Sequence, residues 1–123
     1  MNNKILKYRY LFKLFTFIPL IFYFGKRSYI AFDEGFYALQ ARWILEKNNW
    51  IIPLWWDEYV LDRTIGLQFL MAKSQDLFGR NMFSAYLPTT LASILMLFTT
   101  YKLHEELFNK KYAIISPLIL ATT

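Results

Sequence analysis

Residues 82–101 read MFSAYLPTTLASILMLFTTY, twenty positions without a charge. At about 1.5 Å of rise per residue, a helix of that length crosses a hydrocarbon layer of about 30 Å, so a membrane span is the first constraint on the fold. Pro88 falls in the first two turns, where a missing amide hydrogen does least harm, and Ala92 with Ser93 offers a small surface to a neighbouring helix. Composition points the same way: of 123 residues, 56% are hydrophobic and 20% aromatic, more than a soluble domain of this size carries. Cysteine is absent, which excludes a disulfide framework and a thiolate metal site, and the single His104 cannot build a histidine cluster alone.

Two further apolar runs flank this one. Residues 10–24, YLFKLFTFIPLIFYF, form a short first span in which Lys13 can snorkel to the headgroups. A signal peptide is the competing reading, but Gly25, Lys26 and Arg27 stand where a small-residue cleavage site belongs. Residues 112–123 open a third span, and the chain is therefore expected to be the N-terminal part of a longer protein.

The net charge of +5 is distributed as a topology signal and not as a nucleic-acid footprint. Lys4, Lys7, Arg9 and Lys13 mark the N-terminus as cytoplasmic, and Lys102, Lys110 and Lys111 mark the second loop likewise. The expected arrangement is a span at 10–24, an external loop at 25–81, a span at 82–103 and the start of another at 112–123. The external loop balances seven acids with seven bases, and at 57 residues it is too long to be a mere connector.

Inside the loop the pattern predicts two helices. Asp33 reads as an N-cap, Phe32 and Tyr37 have the spacing of a hydrophobic staple, and residues 34–47 contain no proline. Gly35, Arg42 and Glu46 share a narrow polar sector, so this helix is expected at the membrane interface or packed among others. The motif NNW and then Pro53 interrupt it, and a second helix over 65–78 is expected to close at Gly79.

Several features in order carry a resemblance: FDEGFYALQARWILEKNNWIIP, then DRTIGLQFL, then LFGRNMFSAYLPTTLASIL. This series resembles the start of the membrane glycosyltransferases that use polyprenyl-phosphate sugars, the protein mannosyltransferase and aminoarabinose transferase superfamily. The resemblance runs from about residue 31 to the end of the chain. It implies an all-α integral membrane protein, the N-terminal part of a polytopic C-type glycosyltransferase fold with interfacial helices in the first external loop. It also implies a polyprenyl-phosphate sugar donor, a lipid or protein acceptor and surrounding membrane lipids as partners, in the plasma membrane of a bacterium. No cofactor is assigned, a divalent metal is left open, and no metal ligand is identified. Asp33 matches the acid at the family's reaction centre, with Glu34 beside it. Arg63 takes the place of a lysine that contacts the carrier phosphate, and Tyr37 and Arg42 complete the expected substrate-binding set. Two departures stand out. The family's Glu-Lys-Pro-Pro becomes Asp62-Arg63-Thr64-Ile65, and Phe36 replaces an arginine frequent in aminoarabinose transferases.

Each of these residues also has a plainer reading. Asp33 is an N-cap, Glu34 a first-turn acid favoured by the helix dipole, Arg42 a partner of Glu46, and Arg63 a partner of Asp62 or Glu58. Trp50, Trp55, Trp56 and Tyr59 read as an interfacial aromatic belt before they read as a sugar cradle. The rival to the enzyme is a small two-span membrane protein that binds lipid or a partner through its aromatic loop. The topology is tested by cysteine labelling, since the chain has no native thiol. An impermeant reagent applied to intact cells is expected to label Ser28→Cys and not Lys110→Cys; the opposite pattern inverts the orientation.

Overall fold

The computed structural model describes Ile18 and residues 25, 26, 28–61, 64–108 and 110–122. The first span expected at 10–24 therefore lies, Ile18 apart, outside the described residues. Among the residues described from 25 onward, four helices follow one another, α1 (Asp33–Lys47), α2 (Gly66–Phe78), α3 (Met82–Leu107) and α4 (Ile115–Thr122), with a hairpin of β1 (Leu54–Trp55) and β2 (Glu58–Tyr59) between α1 and α2. The described residues are thus mostly helical, and the hairpin is a departure from the all-α expectation. Two compact units are present, one within Tyr23–Thr89 and the other containing Thr90–Thr123.

In the first unit, α1 is built of good helix formers with Asp33 and Glu34 in its first turn and Lys47 in its last, as the helix dipole favours. It stops where Asn48 turns left-handed, at φ 51° and ψ 33°. The Asn49 side chain then accepts the amides of Ile51 and Ile52, both at 3.3 Å, and redirects the chain toward the hairpin. Trp56 and Asp57 occupy the two-residue turn with φ of 50° and 68°. That is the geometry whose twist matches an antiparallel pair, here Leu54 opposite Tyr59 and Trp55 opposite Glu58.

Helix α2 buries Gln68, Met71, Ala72 and Gln75, a stripe at helical spacing, against α1. Ala41 and Ala72 are both completely buried, and Ile44, Met71 and Ala85 complete the core with Tyr37, Leu45, Trp50 and Leu67 packed around it. A buried glutamine pair, Gln40 and Gln68, crosses this interface at 2.8 Å. The Gln68 amide is satisfied when its nitrogen faces the Thr64 and Ile65 carbonyls at 3.0 and 3.2 Å and its oxygen faces Gln40. Helix α3 is started by a reciprocal cap: Asn81 Oδ1 accepts the Ser84 amide at 2.9 Å, and Ser84 Oγ accepts the Asn81 amide at 3.3 Å.

Helix α3 has 26 residues and is long and apolar enough to cross a membrane. In the second unit its Leu91, Leu95, Met96 and Phe98 side chains are exposed, as a lipid-facing or bundle-facing helix requires. Thr99 and Thr100 donate back to the Leu95 and Met96 carbonyls at 2.9 and 2.8 Å, so neither hydroxyl is left unpaired in apolar surroundings. In its last turns, His104 Nδ1 meets Ser116 Oγ of α4 at 2.5 Å, and Glu105 accepts from Lys102 and Lys110.

The glutamine pair generates a stability prediction. Gln68→Leu alone strands the Gln40 amide and is expected to cost about 1–3 kcal/mol, whereas Gln40→Leu with Gln68→Leu recovers most of that loss. Unfolding of the two purified variants measures the difference.

Candidate functional site

The helix start at Asp33 is shaped by an unusual turn. Phe32 has φ 76° and ψ −68°, and the Asp33 amide donates to the Ala31 carbonyl at 3.1 Å, which is the rare and strained form of the γ-turn. Asp33 is consequently the first residue of the helix and not its N-cap; Phe32 holds the cap position, and no side chain caps the helix. The expected staple is also absent as a contact shield, because Phe32 is 80% exposed. Among the described residues the exposed Asp33 carboxylate has no hydrogen-bond or ion-pair partner.

Glu34 is placed quite differently. Its Oε2 accepts the Ile30 amide at 2.7 Å and the Tyr86 hydroxyl at 2.9 Å, which binds the segment before α1 to the first turns of α3. Tyr86 also approaches the Ser28 carbonyl at 3.3 Å, and its ring packs on Tyr29 with centroids 5.6 Å apart. Burial, and then the Glu34 carboxylate, push the Tyr29 hydroxyl above the usual tyrosine range.

One turn beyond Asp33, Tyr37 is half-buried against the α1–α2 core, with its ring edge-on to Phe36 at 6.1 Å. Phe36 in turn stacks on Trp55 at 4.4 Å, and Trp43 meets Trp55 and Trp56 edge-on at 5.6 and 5.9 Å. The hairpin is thereby fixed along α1 by aromatic contacts, and Lys47 reaches Asp57 in its turn at 2.7 Å. Trp56 remains 72% exposed at the tip.

Arg42 does not join Asp33. Nine positions along α1 carry it about 13 Å and half a turn round the helix, onto a cleft of about 750 Å³ that also touches Gly35, Leu39, Gln75 and Arg80. There Arg42 Nε and Arg80 Nη1 both bind Glu46 Oε1, at 2.7 and 3.1 Å. The hydrogen bond from Arg42 and the charge of both guanidiniums hold the Glu46 carboxyl below the usual carboxylate range. Arg63 and its neighbour Asp62 lie outside the described residues. The structure therefore gathers Asp33, Glu34 and Tyr37 at one helix end and sets Arg42 apart.

Tyr86, Arg80 and the hairpin were not among the residues singled out from the sequence. Tyr86 lies inside the apolar run, and Arg80 meets Glu46 across 34 positions, so neither leaves a local signal. Among the described residues no three His, Asp or Glu side chains gather closely enough to hold a metal ion.

Comparison with known proteins adds the family dimension. The family model described as dolichyl-phosphate-mannose-protein mannosyltransferase matches residues 62–123. An undecaprenyl phosphate-alpha-4-amino-4-deoxy-L-arabinose arabinosyl transferase of Enterobacter sp. (strain 638) is 30% identical over 115 residues, covering 90% of this chain and 20% of the relative. The protein of the same description from Shewanella sediminis (strain HAW-EB3) is 30% identical over 89 residues, covering 72% of this chain and 16% of its own length. The chain spans about a fifth or less of the length of these curated relatives. No solved structure matches.

The Glu34 contacts are testable without any assumption about chemistry. Glu34→Ala is expected to cost about 1.5–3 kcal/mol, the scale for hydrogen bonds to a charged group. A double-mutant cycle with Tyr86→Phe should return a clear coupling energy, and additive losses would show that the two side chains act independently.

Proposed function

We propose, for a chain that belongs to the dolichyl-phosphate-mannose-protein mannosyltransferase family, that the complete protein transfers a sugar from a polyprenyl-phosphate donor to a lipid or protein acceptor at the external face of the membrane. The family is membrane-integral, and the relatives' names supply the donor type, an undecaprenyl phosphate sugar. On this reading the chain is the beginning of a polytopic C-type glycosyltransferase in a bacterial inner membrane, its N-terminus in the cytoplasm and residues 25–81 outside. The transferred group is a hexose or a pentose.

The observation that carries the site assignment is the contrast between adjacent acids. Glu34 is committed to Ile30 and Tyr86, whereas Asp33 stands exposed and, among the described residues, unpartnered beside a strained turn, and strained backbone concentrates at sites of chemistry. Asp33 acts as base or acceptor-orienting carboxylate. With a hydroxyl acceptor it takes the acceptor proton while the oxygen bonds to the anomeric carbon, and the bond from that carbon to the carrier phosphate breaks, releasing polyprenyl phosphate. With a phosphate acceptor no strong base is required, and Asp33 orients the incoming oxygen. Arg63 holds the carrier phosphate, for which a guanidinium fork is suited, and Tyr37 lines the same helix end. Family membership favours this enzyme over a small two-span interaction protein.

In the complete protein at matched expression, Asp33→Asn is expected to insert normally and to lower turnover roughly a hundredfold or more with a hydroxyl acceptor. Glu34→Gln should show a smaller loss that follows its folded fraction. Near-wild-type transfer by folded Asp33→Asn would send the search for the base to other loops.

A further inference from the structure

The cleft beside Arg42 takes no part in the chemistry assigned to Asp33, yet its composition is specific. Gly35, Ala38 and Leu39 give it a small and apolar wall along α1, and Arg42 and Arg80, which also line it, converge on Glu46. The two guanidiniums share a single Glu46 oxygen, so two positive charges face one negative charge. Each arginine spends one nitrogen on that oxygen, and among the described residues neither donates to another acceptor. Guanidinium has five N–H donors in a planar fork, so most of the donor capacity of the pair is unspent.

Location narrows the occupant. Met82, the first residue of α3, also lines the cleft, and a bilayer spanned by that long apolar helix would bring lipid headgroups to the level of the cleft. We infer that it binds the phosphate of an anionic membrane phospholipid, with Arg42 and Arg80 as the phosphate-binding pair and the Gly35, Ala38 and Leu39 wall against the start of the acyl chains. The volume of about 750 Å³ accommodates a headgroup and its first methylenes. A surplus positive charge favours a lipid of net negative charge over a zwitterionic one. The sugar carrier is the poorer occupant, a choice that rests on Asp33 as the reaction centre: a phosphate held by Arg42 is about 13 Å along α1 and half a turn away from it.

The test uses the complete protein in detergent, titrated with phosphatidylglycerol or phosphatidylcholine and read by native mass spectrometry, with thermal midpoints recorded for every variant. Arg42→Gln combined with Arg80→Gln is expected to weaken phosphatidylglycerol binding at least tenfold, the Arg42→Lys and Arg80→Lys pair to weaken it less, and Lys73→Gln, outside the cleft, to leave it unchanged. Glu46→Gln is the decisive variant. A phosphate site gains affinity severalfold when the competing carboxylate goes, whereas a mere Arg42–Glu46–Arg80 brace loses stability and gains no lipid. Unchanged binding in the double Gln variant, or no gain in folded Glu46→Gln, overturns the inference, and so does one-for-one displacement of phosphatidylglycerol by undecaprenyl phosphate. Asp33→Asn is expected to keep the lipid whether or not it keeps transfer, so the two proposals fail separately.

Discussion

The close approach of α1 and α2 is the constraint on which the external-loop unit depends. Ala41 and Ala72 are both fully buried, and only side chains that small let two helices pack so tightly with a glutamine pair crossing between them. That contact fixes the rotation of α1 about its own axis. Once Gln40, Ala41 and Ile44 face α2, Phe36 and Trp43 are turned to the hairpin and Gly35, Leu39 and Arg42 to the cleft. A larger residue at Ala41 or Ala72 would move all three surfaces at once.

The parts of this arrangement legible in the sequence are those written in local pattern. A proline-free window before Asn48 and a run closing at Gly79 mark α1 and α2 to within a residue or so, and the uncharged run marks the start of α3, which continues past the expected span end at 103 to Leu107. The hairpin was not legible because its turn ordinarily asks for Asn-Gly, and here Trp56 and Asp57 adopt positive φ with no such signal. What supports them is aromatic packing on α1 and the ion pair from Lys47, which no short window contains. The site was legible in its residue types but not in its grouping. Helical arithmetic alone separates Asp33 from Arg42, whereas the tie from Glu34 to Tyr86 spans 52 positions and required the fold.

The two adjacent acids then divide a single physical task. The γ-turn at Phe32 puts a bulky residue at φ 76°, a conformation that costs on the order of 1–3 kcal/mol and survives only where its surroundings hold it. Glu34 supplies that hold, since its carboxylate pins Ile30 two residues before Phe32 and clasps Tyr86 on another helix. An N-cap aspartate would have used its own carboxylate on the helix amides. By moving the cap position back to Phe32 and anchoring the turn through Glu34, the chain leaves the Asp33 carboxylate exposed at the head of α1 and, among the described residues, unengaged. The anchoring acid and the exposed acid are therefore coupled: the Glu34 bond to the Ile30 amide and the Gly35 amide's bond to the Ile30 carbonyl at 3.2 Å together hold the turn that presents Asp33.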